Sequence, residues 1–195
     1  MRLSQSFSLD AEENLATEAR LLDEGQPCVF LWQSRPAVVI GRHQIVEDEV
    51  RPGLDIPVFR RMTGGGAMYM DEGNLNICFV GDKKIREAAS VLVAALRNMG
   101  VSAEFSGRND IVVAGRKVSG WAGIERNGVV MTHGTLMFDV NLDRLEQVLT
   151  PPTDKLARHG VISVRSRVAN VKEFLPKINF ESFRKAIVAF LAKQP

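Results

Sequence analysis

Cysteine is nearly absent: the chain has 195 residues and only Cys28 and Cys78. Both lie in apolar, strand-like runs, "PCVFLW" and "NICFV", and neither belongs to a CxxC pair, so they read as small buried thiols. Histidine is equally scarce. His43, His133 and His159 have no metal-ligand spacing to one another or to a cysteine, which argues against a zinc site. No apolar run approaches the roughly 18 residues of a membrane span. The N-terminus "MRLSQSFSLDAEENLATEARLL" has acidic residues where a signal peptide needs an apolar core. The expectation is a cytoplasmic protein with no membrane partner. Charge of one sign is lacking too, since 25 Lys and Arg against 23 Asp and Glu leave a net +2. That excess is too small to argue for nucleic acid, which demands a concentrated basic face. Internal repeats, low-complexity tracts and long linkers are absent, as are a Walker loop and a GxGxxG fingerprint.

What is present is ordinary globular usage, 45% hydrophobic and 25% charged, in a length that suits one domain over residues 1–195. Asp10 with Glu13 three residues on reads as a capping box. It opens a helix with Leu15, Ala19 and Leu22 on one face and a stop near Gly25. Extended runs follow at 28–32, 37–40, 58–61, 67–70 and 75–80. Residues 84–99 carry Ile85, Ala88, Ala89, Leu92, Ala95, Leu96 and Met99 at helical spacing and end at Gly100. Between Ile111 and Val140, turn chemistry at "AGR" (114–116) and "RNG" (126–128) predicts a three-stranded antiparallel meander. An amphipathic helix over 179–193 carries Phe183, Ile187, Phe190 and Leu191, and Pro151 and Pro152 make the one evident break. The sum is an α+β fold with a mostly antiparallel sheet flanked by helices.

Three stretches bear chemistry. In "RRMTGGGAMYMDEGN", three glycines follow a strand and two arginines. Such a run is either a glycine-rich hairpin connection or a concave nest of main-chain N–H groups that receives a phosphate or carboxylate. In "GRNDIVVAGRKVSGWAG", Asn109 and Asp110 precede a strand whose hairpin returns Lys117 and Ser119. A carboxylate, an amide and an ammonium then meet near one sheet end, or the hairpin is a solvated surface. In "THGTLMFDV", His133 suits a base or a hydrogen-bonded structural role, and Thr135 a ligand contact. "SVRSRVAN" adds Arg165 and Arg167, fitting a surface edge or an anionic partner.

Taken in order, "RRMTGGGAMYMDEGNLN", "GRNDIVVAGRKVSG", "HGTLMFDVNLDRL" and "GVISVRSRVANVKEFLP" resemble the lipoate-protein ligase A family of the biotin/lipoate protein ligase superfamily. The resemblance runs from "VVIGRHQ" to "VANVKEFLP". It implies a catalytic-domain fold of that superfamily and a two-step reaction. Lipoate and ATP, with Mg2+, give lipoyl-AMP and pyrophosphate, and a lysine of an acceptor lipoyl-domain protein then takes the lipoyl group as an amide. It further implies that Lys117 is catalytic and holds the acyl carbonyl and α-phosphate. By the same resemblance Arg61, Thr63, Gly64, Gly65 and Gly66 border the lipoyl chain and adenylate, with Ser119 and Gly120 beside Lys117. Asn109 and Asp110 attend the nucleotide, Asp110 its metal, and Thr135 the adenine side. Val38, Val39 and Met68 line the hydrocarbon slot.

The chain departs from that pattern at Met70, where the family often has His, and at Trp121, where it has a small residue. Full-length bacterial ligases carry an accessory domain that 195 residues leave no room for, which implies a separate accessory subunit or a reduced enzyme. Three rival readings remain. An octanoyl or lipoyl transferase working through a cysteine acyl-enzyme would show Pro-Cys-Gly where Pro151-Pro152-Thr153 stands, and a biotin ligase would show a "GRGR" loop. The third is a non-catalytic acyl-binding module.

Overall fold

The computed structural model describes residues 2–149 and 168–194. Arg165, Arg167, His159 and the Pro151-Pro152-Thr153 segment lie outside them. In chain order the elements are β1 (Arg2–Gln5), α1 (Ala11–Glu24), β2 (Cys28–Trp32), β3 (Ala37–Ile40), α2 (Val46–Glu49), β4 (Val58–Arg60), β5 (Met68–Met70) and β6 (Asn74–Gly81). There follow α3 (Ile85–Asn98), β7 (Ala103–Ser106), β8 (Asp110–Val113), β9 (Arg116–Arg126), β10 (Val129–Met137), α4 (Leu142–Val148) and α5 (Phe180–Leu191). Seven strands form one sheet in the order β1-β2-β6-β10-β9-β8-β7, antiparallel except at β1–β2. A smaller sheet, β4-β3-β5, pairs β3 with β4 in parallel and with β5 antiparallel.

Helices α3 and α5 cover one face of the large sheet, and α1 covers the other. The sorting follows from strand period two. In β2, Val29 and Leu31 join the cluster under α3 and α5, while Cys28, Phe30 and Trp32 join the one under α1. Burial on both faces explains why β2 reads as a continuous apolar run. The meander closes through two turns with consecutive left-handed residues, Ala114 (φ 48°) with Gly115 (72°) and Asn127 (53°) with Gly128 (77°). These are the mirror-image turns whose twist matches that of the strands they join.

Helix α1 begins at the expected cap, Asp10 accepting from the Glu13 amide, and ends at Gly25 in the left-handed region. Its buried face differs from expectation. Ala11, Asn14, Glu18, Leu21 and Leu22 are buried, whereas Leu15 and Ala19 are only half-buried. The helix turns its polar Asn14 and Glu18 toward the sheet because partners wait there. Asn14 donates to the carbonyls of Ser8 and Gln33. The sequence periodicity also passes over β1, β7, α2 and α4, each short and half-exposed.

A third cluster, between the small sheet and α4, contains Val38, Ile40, Val50, Tyr69, Met137, Val140 and Val148. Tyr69 is the single tyrosine of the chain and is 4% exposed. Burial, then the Asp71 carboxylate, pushes its phenol up to about 12 from 10.0. The folded state therefore holds this proton more tightly than the unfolded chain does. The stability that follows is fully present below pH 10 and is lost as pH rises through about 12. Phenolate absorbance should titrate near 12 in the native protein and near 10 in denaturant, read from one residue; a native midpoint near 10 contradicts the burial argument.

Candidate active site

The glycine-rich segment between β4 and β5 folds around Arg61. This guanidinium is only 6% exposed, and its N–H groups donate to the carbonyls of Val39 (3.1 Å), Gly64 (2.8 Å) and Gly66 (2.7 Å) and to the Thr63 hydroxyl (3.1 Å). Desolvation lowers its pKa from 12.5 to about 10, against the opposing pull of Glu18 and Glu49, so it stays charged at neutral pH. Peptide planarity then sets the donors: with the Gly64 and Gly66 carbonyls aimed at Arg61, the next N–H groups, of Gly65 and Ala67, face away from it. Among the described residues the Gly64, Gly65 and Gly66 amides find no acceptor. Arg60 spends itself similarly at the rim, donating to the carbonyls of Gly41, Arg42 and Gln44.

The glycines of this region are not equivalent. Gly65 has φ +93°, and a Cβ there would lie 2.9 Å from the Arg61 guanidinium. At Gly41, in the turn after β3, a Cβ would come 2.2 Å from the Gly65 carbonyl oxygen, a backbone atom. Gly64 has open space around it. Gly41→Ala should therefore cost about 1–3 kcal/mol by overpacking, a Tm loss of roughly 3–10 °C, while Gly64→Ala leaves Tm within about 2 °C. Equal melting of the two variants contradicts the close approach.

The second part of the site comes from the β8–β9 hairpin. The register slips between Ile111↔Ser119 and Val112↔Lys117, so Val118 is an extra residue in β9. In a regular strand Lys117 would share a face with Ser119 and Trp121, which face the α3 and α5 core. The bulge places Lys117 on the same face as Gly120, three residues on. A Cβ at Gly120 would lie 3.0 Å from both Cε and Nζ of Lys117. Lys117 Nζ is 2.8 Å from Asp110 Oδ1, the two side chains 25% and 28% exposed. The next residue on that face, Ala122, lies 3.8 Å from where a Gly65 Cβ would be. Gly120 and Ala122 are two positions apart, about 7 Å along a strand. Lys117 and the glycine-rich segment thus share one short strip of β9.

Other expected residues fall in or out of this group. Asn109 donates its amide to the Trp121 carbonyl at 2.8 Å, which pins the chain beside Asp110. The Thr135 hydroxyl accepts from the Gly120 amide at 3.5 Å. Val39 and Met68 pair across β3–β5 and pack in the α1-side cluster. Strand alternation sends Val38 the other way, to Ile40, Tyr69 and Met137, so the structure does not bring it to them. Ser119 is likewise not brought in: its side chain is fully buried beside Ile111 on the helix-covered face. Sequence reasoning missed Glu18 and Gly41. The in-phase spacing of Ala11, Asn14, Glu18 and Leu21 was the available signal for the first.

The chain is similar to known proteins. Residues 7–192 match the family model described as the lipoyl protein ligase A/B catalytic domain. The chain belongs to that family. It is 40% identical over 193 residues to lipoate-protein ligase LplJ of Bacillus subtilis, covering 92% of this chain and 58% of that protein. A solved bipartite lipoate-protein ligase of Thermoplasma acidophilum, studied with its E2 lipoyl domain, superposes with a TM-score of 0.84 at 29% identity, over 98% of this chain and 82% of that one. A lipoate-protein ligase A bound with ATP gives 0.81 at 26% identity, over 98% and 84%. The chain thus spans under two thirds of its Bacillus relative. Met70 and Trp121, the two departures marked by the sequence resemblance, are both core residues here. Met70 is 1% exposed beside Asn76, and Trp121 packs so close to Gly134 that a Cβ there would lie 2.3 Å from its ring.

Proposed function

We propose that residues 1–195 form one catalytic unit that activates lipoate with ATP and transfers the lipoyl group to a lysine of an acceptor lipoyl domain. The observation that carries this is the bulge-placed Lys117 ammonium over bare Gly120, one strand step from the outward N–H groups of the glycine-rich segment. In the first step a lipoate carboxylate oxygen bonds to the α-phosphorus of ATP and pyrophosphate leaves. Both reactants are anionic, so fixed donors must offset their repulsion as charge gathers on the phosphoryl oxygens. Lys117 supplies a cation there, and the Gly64–Gly66 segment supplies main-chain dipoles that need no reorganisation. Asn109, Asp110, Thr135 and Gly120 border the nucleotide. Val39 and Met68, with the half-buried Met62, offer an adaptable apolar wall for the acyl chain.

Mg2+ fits as part of the nucleotide complex. Among the described residues no group of three or more His, Cys, Asp or Glu could hold a metal alone, whereas Mg2+ is commonly bound by one carboxylate together with substrate phosphates. Asp110 is the carboxylate that would hold it, and the ion would neutralise phosphate charge. In the second step the acceptor lysine nitrogen bonds to the acyl carbon, AMP leaves with the former carboxylate oxygen, and the amine gives up a proton. The protein's task is alignment and exclusion of water. The bipartite archaeal neighbour supports reading an accessory subunit as a partner. A cytoplasmic setting supplies ATP and agrees with the free cysteines.

A cysteine acyl-enzyme is disfavoured. Cys28 and Cys78 are both fully buried, and burial raises the pKa of each, that of Cys78 well above the usual thiol range. Pyrophosphate release with Mg·ATP and lipoate, octanoate or biotin tests the proposal, run with and without a candidate accessory protein. Lipoate-dependent release is expected, and Lys117→Ala should lower it by at least about 100-fold. Full activity in that variant overturns the mechanism. The Cys28→Ala/Cys78→Ala protein should keep its transfer activity, and complete loss in a folded double variant would favour the acyl-enzyme route.

A further inference from the structure

A buried chain of hydrogen bonds runs beneath the glycine-rich segment and joins it to α1, β2 and β10. Trp32 Nε1 donates to Glu18 Oε1 at 2.8 Å, and Glu18 Oε2 lies 2.6 Å from His133 Nδ1. His133 Nε2 lies 2.7 Å from the Thr63 hydroxyl, which accepts from Arg61 Nε. Glu18 is 2% exposed, Thr63 1% and the His133 side chain 12%. The reaction assigned above uses neither Glu18 nor His133.

The ends of this chain constrain the protons within it. An indole and a guanidinium can only donate. Because Arg61 donates to the Thr63 oxygen, the hydroxyl proton of Thr63 has one acceptor within reach among the described residues, His133 Nε2. The arrangement that gives this proton an acceptor has a bare Nε2, with the imidazole proton on Nδ1 pointing at Glu18. The carboxylate then accepts from both Trp32 and His133, one bond to each oxygen, and nothing is left unmatched. A doubly protonated ring would leave the Thr63 hydroxyl proton without a partner in a place that water does not reach. The Glu18 carboxylate and the Arg61 guanidinium thus stand on either side of the imidazole and the hydroxyl.

We infer that Glu18 and His133 are positioning residues that hold the glycine-rich segment in its receiving geometry through the Thr63 hydroxyl. The chain has a mechanical role because Thr63 is the first residue after the Arg61-Met62 corner. Its carbonyl is tied to the Arg42 amide at 2.8 Å, and its side chain is tied to β10. Fixing both fixes the plane from which Gly64–Gly66 spring. This role rests on the proposed reading only for the identity of what the segment receives.

Glu18→Gln is the sharpest probe, since it keeps the shape and reverses one donor. The new amide must donate to His133 Nδ1, which drives the ring proton to Nε2 and leaves the Thr63 hydroxyl proton orphaned. Nitrogen-15 NMR of the His133 ring should show protonation at Nδ1 in the unaltered protein and at Nε2 in Glu18→Gln. Amide hydrogen exchange at Arg42, whose N–H is held by the Thr63 carbonyl, should quicken by about tenfold in Glu18→Gln and in Thr63→Val, and stay unchanged in Thr63→Ser. In the pyrophosphate assay, Glu18→Gln should lower kcat/KM by about tenfold, mainly through KM. An Nε2-protonated ring in the unaltered protein, or unchanged exchange in both Glu18→Gln and Thr63→Val, overturns the inference. Should Glu18→Gln fail to fold, the Thr63→Val and Thr63→Ser pair decides alone. Expected NMR and exchange results from a protein that releases no pyrophosphate would leave the positioning role standing and sink the proposed reaction.

Discussion

A buried guanidinium must find acceptors, and the site's geometry depends on how Arg61 finds them. A cation 6% exposed cannot rely on water. The acceptors within reach are the carbonyls of its own following segment and one from β3. Drawing the Gly64 and Gly66 carbonyls inward turns the alternate amides outward, so a requirement of burial yields a row of donors. It also demands glycine at two points. One is Gly65, whose left-handed backbone a larger residue adopts only with strain; the other is Gly41, where the β3 turn touches the Gly65 carbonyl. The neighbouring Gly64 meets no such limit. The triple glycine is a set of unequal requirements created by one charge.

The β9 bulge does comparable work for Lys117. A strand offers alternating faces, here one toward α3 and α5 and one toward the glycine-rich segment, and the lysine falls on the wrong one by simple counting. Inserting Val118 moves it across while sending Val118 itself into the core. The same insertion keeps Ser119 and Trp121 buried and leaves Gly120 and Ala122 bare on the site face. A packing demand and a chemical demand are met by one added residue.

Turns and long periodic elements were legible in the sequence because their signals are local. Gly115 and Gly128 mark the meander, and the apolar spacing of α3 marks its buried face. The family motifs brought out Arg61, Thr63, Lys117 and Asp110. What escaped depends on non-local facts. Glu18 looks like one more acidic residue on a surface helix until Trp32 and His133, from two different strands, are placed beneath it. Ser119 and Val38 were grouped with their sequence neighbours, whereas the period of two turns Ser119 to the opposite face from Gly120 and sends Val38 to another cluster. The bulge that decides the face of Lys117 leaves no mark in residue type, because Val118 is an ordinary strand residue.

The two cations of the site are held with unequal firmness, and this divides their labour. Lys117 pairs with Asp110 where both side chains are about a quarter exposed. Such a pair is worth on the order of 1 kcal/mol or less, so an arriving phosphate or carboxylate can draw the ammonium away at little cost. Arg61 is held by three carbonyls and a hydroxyl in a dry setting, and displacing it would strand several buried groups at about 1–3 kcal/mol each. In the proposed reaction the anion therefore recruits the lysine and leaves the arginine in place. On that reading the fixed charge shapes the receiving surface, and the movable one meets the ligand.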